Sequence, residues 1–176
     1  MKIENELDIL GKESVVASQE IKSLGKKEKN ELLNAIIETL KNDKDQILEA
    51  NKLDIEVSQD KLSNAMLDRL MLDDERFEGI IESIKNVITL DDPTGNILFT
   101  NERPNGMIVE RVSVPLGVIG IIYESRPNVT IDATVLCLKA GNSVILRGGS
   151  ECFNTNTAMV NSMQKAIQSK SVSKNI

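Results

Sequence analysis

Two short apolar runs constrain this chain more than any other feature. Each is cut off by a polar or glycine-bearing cluster, and each is followed by a helical pattern. In VPLGVIGIIYESRPN the run is Val118, Ile119, Ile121 and Ile122, and the cluster is Glu124, Ser125, Arg126 and Asn128. In NSVILRGGSE, Ser143 to Leu146 lead into Arg147, Gly148, Gly149 and Glu151. VTIDATVLCLKAG between them reads as a helix closed by Gly141. A last helix is predicted from about Phe153 to Ser169, followed by a tail, KSVSKNI, expected to fray. Strand, helix, strand, helix is a βαβα unit: two parallel strands joined by a right-handed crossover. Both clusters then sit at the carboxyl ends of neighbouring strands, the edge where open α/β sheets bind ligands.

The chain before about residue 95 reads differently. In KKEKNELLNAIIETLKN, Leu32, Leu33, Ile36, Ile37 and Leu40 recur at helical spacing. DDERFEGIIESIKNVI repeats this with Phe77, Ile80, Ile81, Ile84, Val87 and Ile88, and Asp73 or Asp74 is the expected N-cap. The first 24 residues are helix-like up to Gly25, and residues 43–60 and 63–70 are expected as further helices. The many charges on these helices read as a solvated outer face. DDPTGN at 91–96 is a turn cluster. Residues 97–103 and 106–114 then read as strands of a hairpin turning at Pro104-Asn105-Gly106. Three parts follow: 1–95 helical, 96–114 a hairpin, and 115–176 the βαβα unit, which the resemblance given below makes a partial nucleotide-binding unit.

Composition removes several function classes. The 176 residues carry a net charge of −6, only 2% aromatics, no Trp and no His. A basic, stacking nucleic-acid surface is not expected. Without His, a Ser-His-Asp triad, a Cys-His dyad and a His-ligated zinc cannot be built from this chain. Cys137 and Cys152 form no metal-spacing motif, so no metal is expected. The acidic start MKIENELDIL shows no apolar signal region, and no apolar stretch reaches about 18 residues. The expectation is a cytoplasmic protein without a membrane partner; Asn128-Val129-Thr130 is then a chance sequon.

The two clusters admit bland and sharp readings. RGGSE is either a plain strand-to-helix turn or a phosphate and ribose site. In the second reading Gly148 and Gly149 admit close approach, Arg147 pairs with a phosphate and Glu151 accepts from ribose hydroxyls. The following helix would add free N–H groups. Asn128 is either the N-cap of its helix or a side-chain amide donating to an oxyanion. Arg126 binds an anionic substrate group or pairs with an acidic neighbour.

The stretch VPLGVIGIIYESRPNVTIDATVLCLKAGNSVILRGGSE is similar to a long, specific signature of the γ-glutamyl phosphate reductases, also called glutamate-5-semialdehyde dehydrogenases, of the aldehyde dehydrogenase superfamily. LSNAMLDRL at 62–70 and EANKLDI at 49–55 also resemble that family's N-terminal region, and the resemblance runs to about residue 169. It implies an α/β, aldehyde-dehydrogenase-like fold: an N-terminal helical segment, a hairpin of the oligomerisation type and a partial Rossmann-type parallel sheet. The implied reaction is NADPH-dependent reduction of L-glutamate 5-phosphate to the semialdehyde in proline biosynthesis. Asn128 would help form the oxyanion hole, and Arg126 would contact the substrate. Ile122, Tyr123, Glu124 and Ser125 would line the cofactor groove. Arg147, Gly148, Gly149 and Glu151 would meet the adenosine ribose, the Arg suiting a 2′-phosphate.

The chain departs from the family in length. Family enzymes are more than twice as long, and their nucleophilic cysteine lies in a separate catalytic domain further along. Cys137 sits among apolar residues and reads as an inert thiol. Cys152 opens the last helix, where a dipole could lower a thiol pKa, but it stands in the cofactor turn. The expectation is the N-terminal portion of such a reductase, inactive alone and self-associating through strand edges. A non-catalytic nucleotide-binding or association module is the alternative.

Overall fold

The computed structural model describes residues 2–176. Five helices come first: α1 (Lys2–Ser23), α2 (Lys26–Asn42), α3 (Lys44–Ser58), α4 (Asn64–Leu70) and α5 (Asp74–Thr89). An antiparallel hairpin follows, β1 (Ile97–Glu102) and β2 (Ile108–Val112). The last part is β3 (Val118–Ile122), α6 (Pro127–Lys139), β4 (Ser143–Arg147), a 3-10 turn (Ser150–Cys152) and α7 (Phe153–Ser169). β3 and β4 pair in parallel, as a βαβ crossover requires. Among the described residues, no helix is long and apolar enough to cross a membrane.

The helices start and stop where their ends find partners. Asp73 caps α5 by accepting from the Arg76 backbone N–H at 2.8 Å, and Ser63 caps α4 through Met66. Gly25 opens α2, its N–H donating to the Glu28 carboxylate at 2.8 Å. Gly141 closes α6 at φ +73, where a Cβ would also stand 2.9 Å from Pro115 Cγ.

The apolar faces predicted for α2 and α5 are buried in one core with Ile131, Val135 and Leu138 of α6 and Met159, Met163 and Ile167 of α7. α1 buries Ser14, Ala17, Ser18 and Ile21, one face at helical spacing, and packs on β4. Its link to the sheet is polar: Ser143 Oγ donates to the Ser14 carbonyl at 2.9 Å.

Two expectations are corrected here. The tail does not hang free: Val172 and Ile176 join the core, and the Ser173 N–H donates to Glu20 at 2.8 Å. Two apolar residues separated by three polar ones gave no periodic signal for this docking. The helical charges are also not all solvated. Lys29 is 1% exposed and donates to Asp92 (3.0 Å) and Thr94 (2.9 Å). Lys139 is buried as well and donates to Asn30 Oδ1 (2.7 Å) and the Ile88 carbonyl (3.0 Å). Lys139 thereby satisfies a carbonyl at the end of α5. Burial alone would raise Asp92, but the Thr94 hydroxyl and N–H and the Lys29 ammonium hold its carboxyl below the usual range. This cluster anchors the base of the hairpin, whose strands otherwise expose apolar side chains such as Leu98, Phe99 and Ile108.

Asp92→Asn leaves the Lys29 ammonium buried without its counter-charge. The expected cost is roughly 3 kcal/mol in urea unfolding. An unchanged midpoint would show that the pair adds nothing.

Candidate functional site

The two clusters meet because β3 and β4 are in register, Ile122 opposite Arg147. The Tyr123 N–H extends the ladder by donating to the Arg147 carbonyl at 3.1 Å. Side chains then stitch the turns. Ser125 Oγ donates to Glu151 Oε2 at 2.8 Å. Tyr123 Oη bonds Thr130 Oγ1 at 2.7 Å, and Thr130 Oγ1 donates to Asn156 Oδ1 at 2.7 Å. The glycines make this packing possible. A Cβ on Gly149 would lie 2.5 Å from Glu151 Oε2 and 2.6 Å from Ser125 Oγ. One on Gly148 would collide with the Asn156 amide and press on the Tyr123 ring at 3.1 Å.

A cleft of about 610 Å³ opens over this junction. It is lined by Ile122, Tyr123, Glu124, Ser125 and Arg126 from one turn, by Arg147, Gly149, Ser150 and Glu151 from the other, and by Met66 and Arg69 of α4. Gly148 faces a separate, smaller cleft beside Phe153 and Asn156. The Glu151 backbone N–H, the Ser125 hydroxyl and the nearby Arg147 hold the Glu151 carboxyl below the usual range. Glu151 therefore faces the cleft as an anion and hydrogen-bond acceptor.

A second cleft, of about 490 Å³, lies between the start of α6 and the α4–α5 corner. Arg126, Asn128 and Asp132 form one side; Arg69, Arg76 and Ser83 form the other. Arg69 and Arg126 line both clefts.

Asn128 is not the N-cap. Arg126 occupies that place, Pro127 is the first helical residue and Asn128 lies inside the first turn. Proline's fixed φ and missing N–H suit the first helical position, which sets the helix start ahead of Asn128. The freed amide donates through Nδ2 to Asp132 Oδ2 at 3.0 Å, one turn along. Asp132 Oδ1 accepts from Ser83 Oγ of α5 at 2.9 Å. The second N–H of Asn128 makes no hydrogen bond to another described residue.

Two backbone N–H groups of the first turn of α7 are already taken. Asp54 of α3, 4% exposed, accepts from Asn154 N (3.1 Å), Asn154 Nδ2 (2.8 Å), Thr155 N (2.7 Å) and Thr155 Oγ1 (2.6 Å). A protein carboxylate thus fills the anion position at this helix start. The helix dipole, which could have lowered the Cys152 thiol, does not prevail. Burial pushes the thiol up to about 11, against a lowering contribution from the Asn156 side chain, and Asp54 and Glu151 raise it further. Burial also raises Cys137.

No protein-family model matches the chain. A solved structure of a probable aldehyde dehydrogenase from Listeria monocytogenes superposes with a TM-score of 0.70 at 15% identity, covering 97% of this chain and 35% of that one. This places the fold among the aldehyde-dehydrogenase-like α/β folds. A γ-glutamyl phosphate reductase from Clostridium perfringens is 51% identical over 165 residues, 93% of this chain and 40% of the relative. The crystal structure of a γ-glutamyl phosphate reductase from Thermotoga maritima has a TM-score of 0.94 at 38% identity, covering 97% of this chain and 41% of that one. The chain is similar to the N-terminal part of the γ-glutamyl phosphate reductases. It spans about 40% of the length of these relatives.

Sequence reasoning missed Arg69, Asp132, Ser83 and Asp54. LSNAMLDRL was singled out as a run, without a role for its arginine. Asp132 stands one helical turn from Asn128, a spacing that could have marked the pair. Ser83 and Asp54 reach the site only through tertiary packing.

Both thiols are expected to resist a disulfide reagent at pH 7 in the native chain and to react once urea unfolds it. Rapid native labelling of Cys152 would contradict its burial.

Proposed function

We propose that this chain provides the cofactor-binding turns and the oxyanion donor of a cytoplasmic γ-glutamyl phosphate reductase. The whole enzyme would reduce L-glutamate 5-phosphate to glutamate 5-semialdehyde, a step of proline biosynthesis. The observation that carries this reading is the Ser125–Glu151 bond, which joins the two strand-end turns under a cleft flanked by Arg147. When bound, NADPH supplies the hydride for the reduction. The acidic Glu151 suits the adenosine ribose hydroxyls, and Arg147 suits a 2′-phosphate. The walls formed by Ile122 to Ser125 and by Gly149 fit a nucleotide lying along the strand ends.

Asn128 is the proposed donor to the substrate carbonyl oxygen. Its tie to Asp132 leaves one N–H for that task. Arg126, beside it, suits an anionic group of the substrate. Neither thiol of this chain can act as the nucleophile, since both are buried and shifted upward. The 176-residue chain alone is therefore expected to bind cofactor without turning over.

Homo-oligomer formation is part of the proposal. The hairpin exposes Ile97, Leu98, Phe99, Ile108 and Val109, and Leu116 is 85% exposed just beyond it. Light scattering is expected to give a mass above that of one chain; a monodisperse monomer would contradict this. The same faces would serve the alternative, a module that only binds nucleotide or associates.

Titrating the chain with NADPH and NADH, followed by nucleotide fluorescence, tests the cofactor reading. Saturable binding with NADPH preferred is expected. Arg147→Gln should remove roughly tenfold of that preference or more, since a charge-assisted contact is lost. Glu151→Gln should weaken both nucleotides. No saturation below millimolar concentration would reject the cleft as a cofactor site.

A further inference from the structure

We propose that Arg69 and Arg126 form an oxyanion site, at the partition between the two clefts, that holds the phosphoryl group of the acyl phosphate. The inference rests on the reductase reading above, and it assigns α4 a direct role in substrate binding. Four of the chain's six arginines line the two clefts, while no lysine does, in a chain of net charge −6. Each cleft has three arginines against two carboxylates in its lining. Arginine forks fit phosphate oxygens in pairs, which a lysine point charge does not.

One of the four arginines is already engaged by hydrogen bonds. Arg76 donates to the Asp68 carboxylate at 2.7 Å, to the Asp68 carbonyl and to the Met71 carbonyl at 2.9 Å. Arg147 lies close enough to Glu151 to favour its carboxylate and belongs to the cofactor turn in the reading above. The side chains of Arg69 and Arg126 make no hydrogen bond or ion pair to any other described residue. In the second cleft the carboxylates are engaged elsewhere, Asp68 with Arg76 and Asp132 with Ser83 and Asn128, while Glu124 of the first cleft makes no side-chain bond to another described residue.

The backbone that carries Arg69 is nonetheless held firmly. Asn51, buried on α3, donates to the Leu70 carbonyl at 2.9 Å and accepts from the Leu72 N–H at 2.8 Å. Arg76 grips the carbonyls of Asp68 and Met71 on either side. The Arg69 position is thus fixed while its guanidinium is left uncommitted, which lowers the ordering cost of binding an anion. The site is also in the right neighbourhood. In an acyl phosphate a single bridging oxygen separates the carbonyl carbon from phosphorus. A carbonyl donor and a phosphoryl site must therefore be neighbours, as Asn128 and Arg126 are at the start of α6.

The probe is inorganic phosphate, titrated into the 176-residue chain while the arginine Nε–H signals are followed by NMR. Saturable shifts at both Arg69 and Arg126 are expected. Arg69→Gln should weaken phosphate roughly tenfold or more, and Arg69→Lys should recover only part of that. Arg69 is exposed, and a native spectrum of either variant shows that the fold is kept. NADPH should still saturate both variants, with a smaller loss of affinity than phosphate shows since Arg69 also borders the cofactor cleft, and should still bind in the presence of phosphate. Phosphate binding that depends on Arg69, in a chain that fails to bind NADPH, would uphold the oxyanion site and reject the cofactor reading. Absence of saturation by phosphate, beside intact NADPH binding, would overturn the inference alone. Displacement of phosphate by NADPH would also overturn it, giving the arginines to the cofactor. Glutarate binding as tightly, with the same dependence on Arg69, would give the site to a carboxylate instead.

Discussion

The carboxylate of Asp54, buried on α3, accepts hydrogen bonds from two backbone N–H groups and two side chains of the first turn of α7. That turn follows the Gly148-Gly149 segment after a single 3-10 turn, so its position sets where Arg147 and Glu151 face. One helical turn earlier, Asn51 reaches Thr155 Oγ1 and also holds the corner after α4. A polar stripe on a single helix thus ties the strand-end turns to the segment that bears Arg69. These groups are nearly free of water, so removing one partner would leave others unsatisfied at a cost of about 1–3 kcal/mol each. The N-terminal helices are in this sense part of the site and not a cover over it.

This arrangement decides how anions can be recognised. Since Asp54 fills the start of α7, the helix terminus cannot serve a phosphate there. Recognition falls to side chains, and the arginines are gathered at the clefts accordingly. The glycines of the turn serve packing: any Cβ would strike Ser125, Glu151, Tyr123 or Asn156. The same tight turn keeps the Ser125–Glu151 bond short and the carboxylate ionised. Cys152, enclosed beneath, is left as a buried thiol with a raised pKa.

Much of this was legible in the sequence because it depends on local periodicity and turn chemistry. The bounds of α2 and α7, the cap at Asp73, the Gly141 stop and the parallel pairing of the two apolar runs follow from spacing and punctuation. The meeting of YES with RGG follows from the βαβα topology. What escaped depends on partners distant in the chain. Lys29 and Asp92 are 63 residues apart, and Asp54 and Thr155 are 101 apart. A lysine in an amphipathic helix looks the same whether it is solvated or buried on an ion pair. Asn128 was misplaced for a local reason, since Pro127 takes the first helical position and moves the cap to Arg126. The docked tail carries no periodic pattern that could have shown it.

The central claim is that the ends of β3 and β4 form one cofactor cleft. Mapping NADPH-induced amide shifts by NMR on the intact chain tests it most directly. Coupled, saturable shifts in residues 122–126 and 147–151, with little change in the α1 and tail region, are expected. Shifts centred elsewhere, or none at saturating nucleotide, would contradict the assignment of these turns to the cofactor.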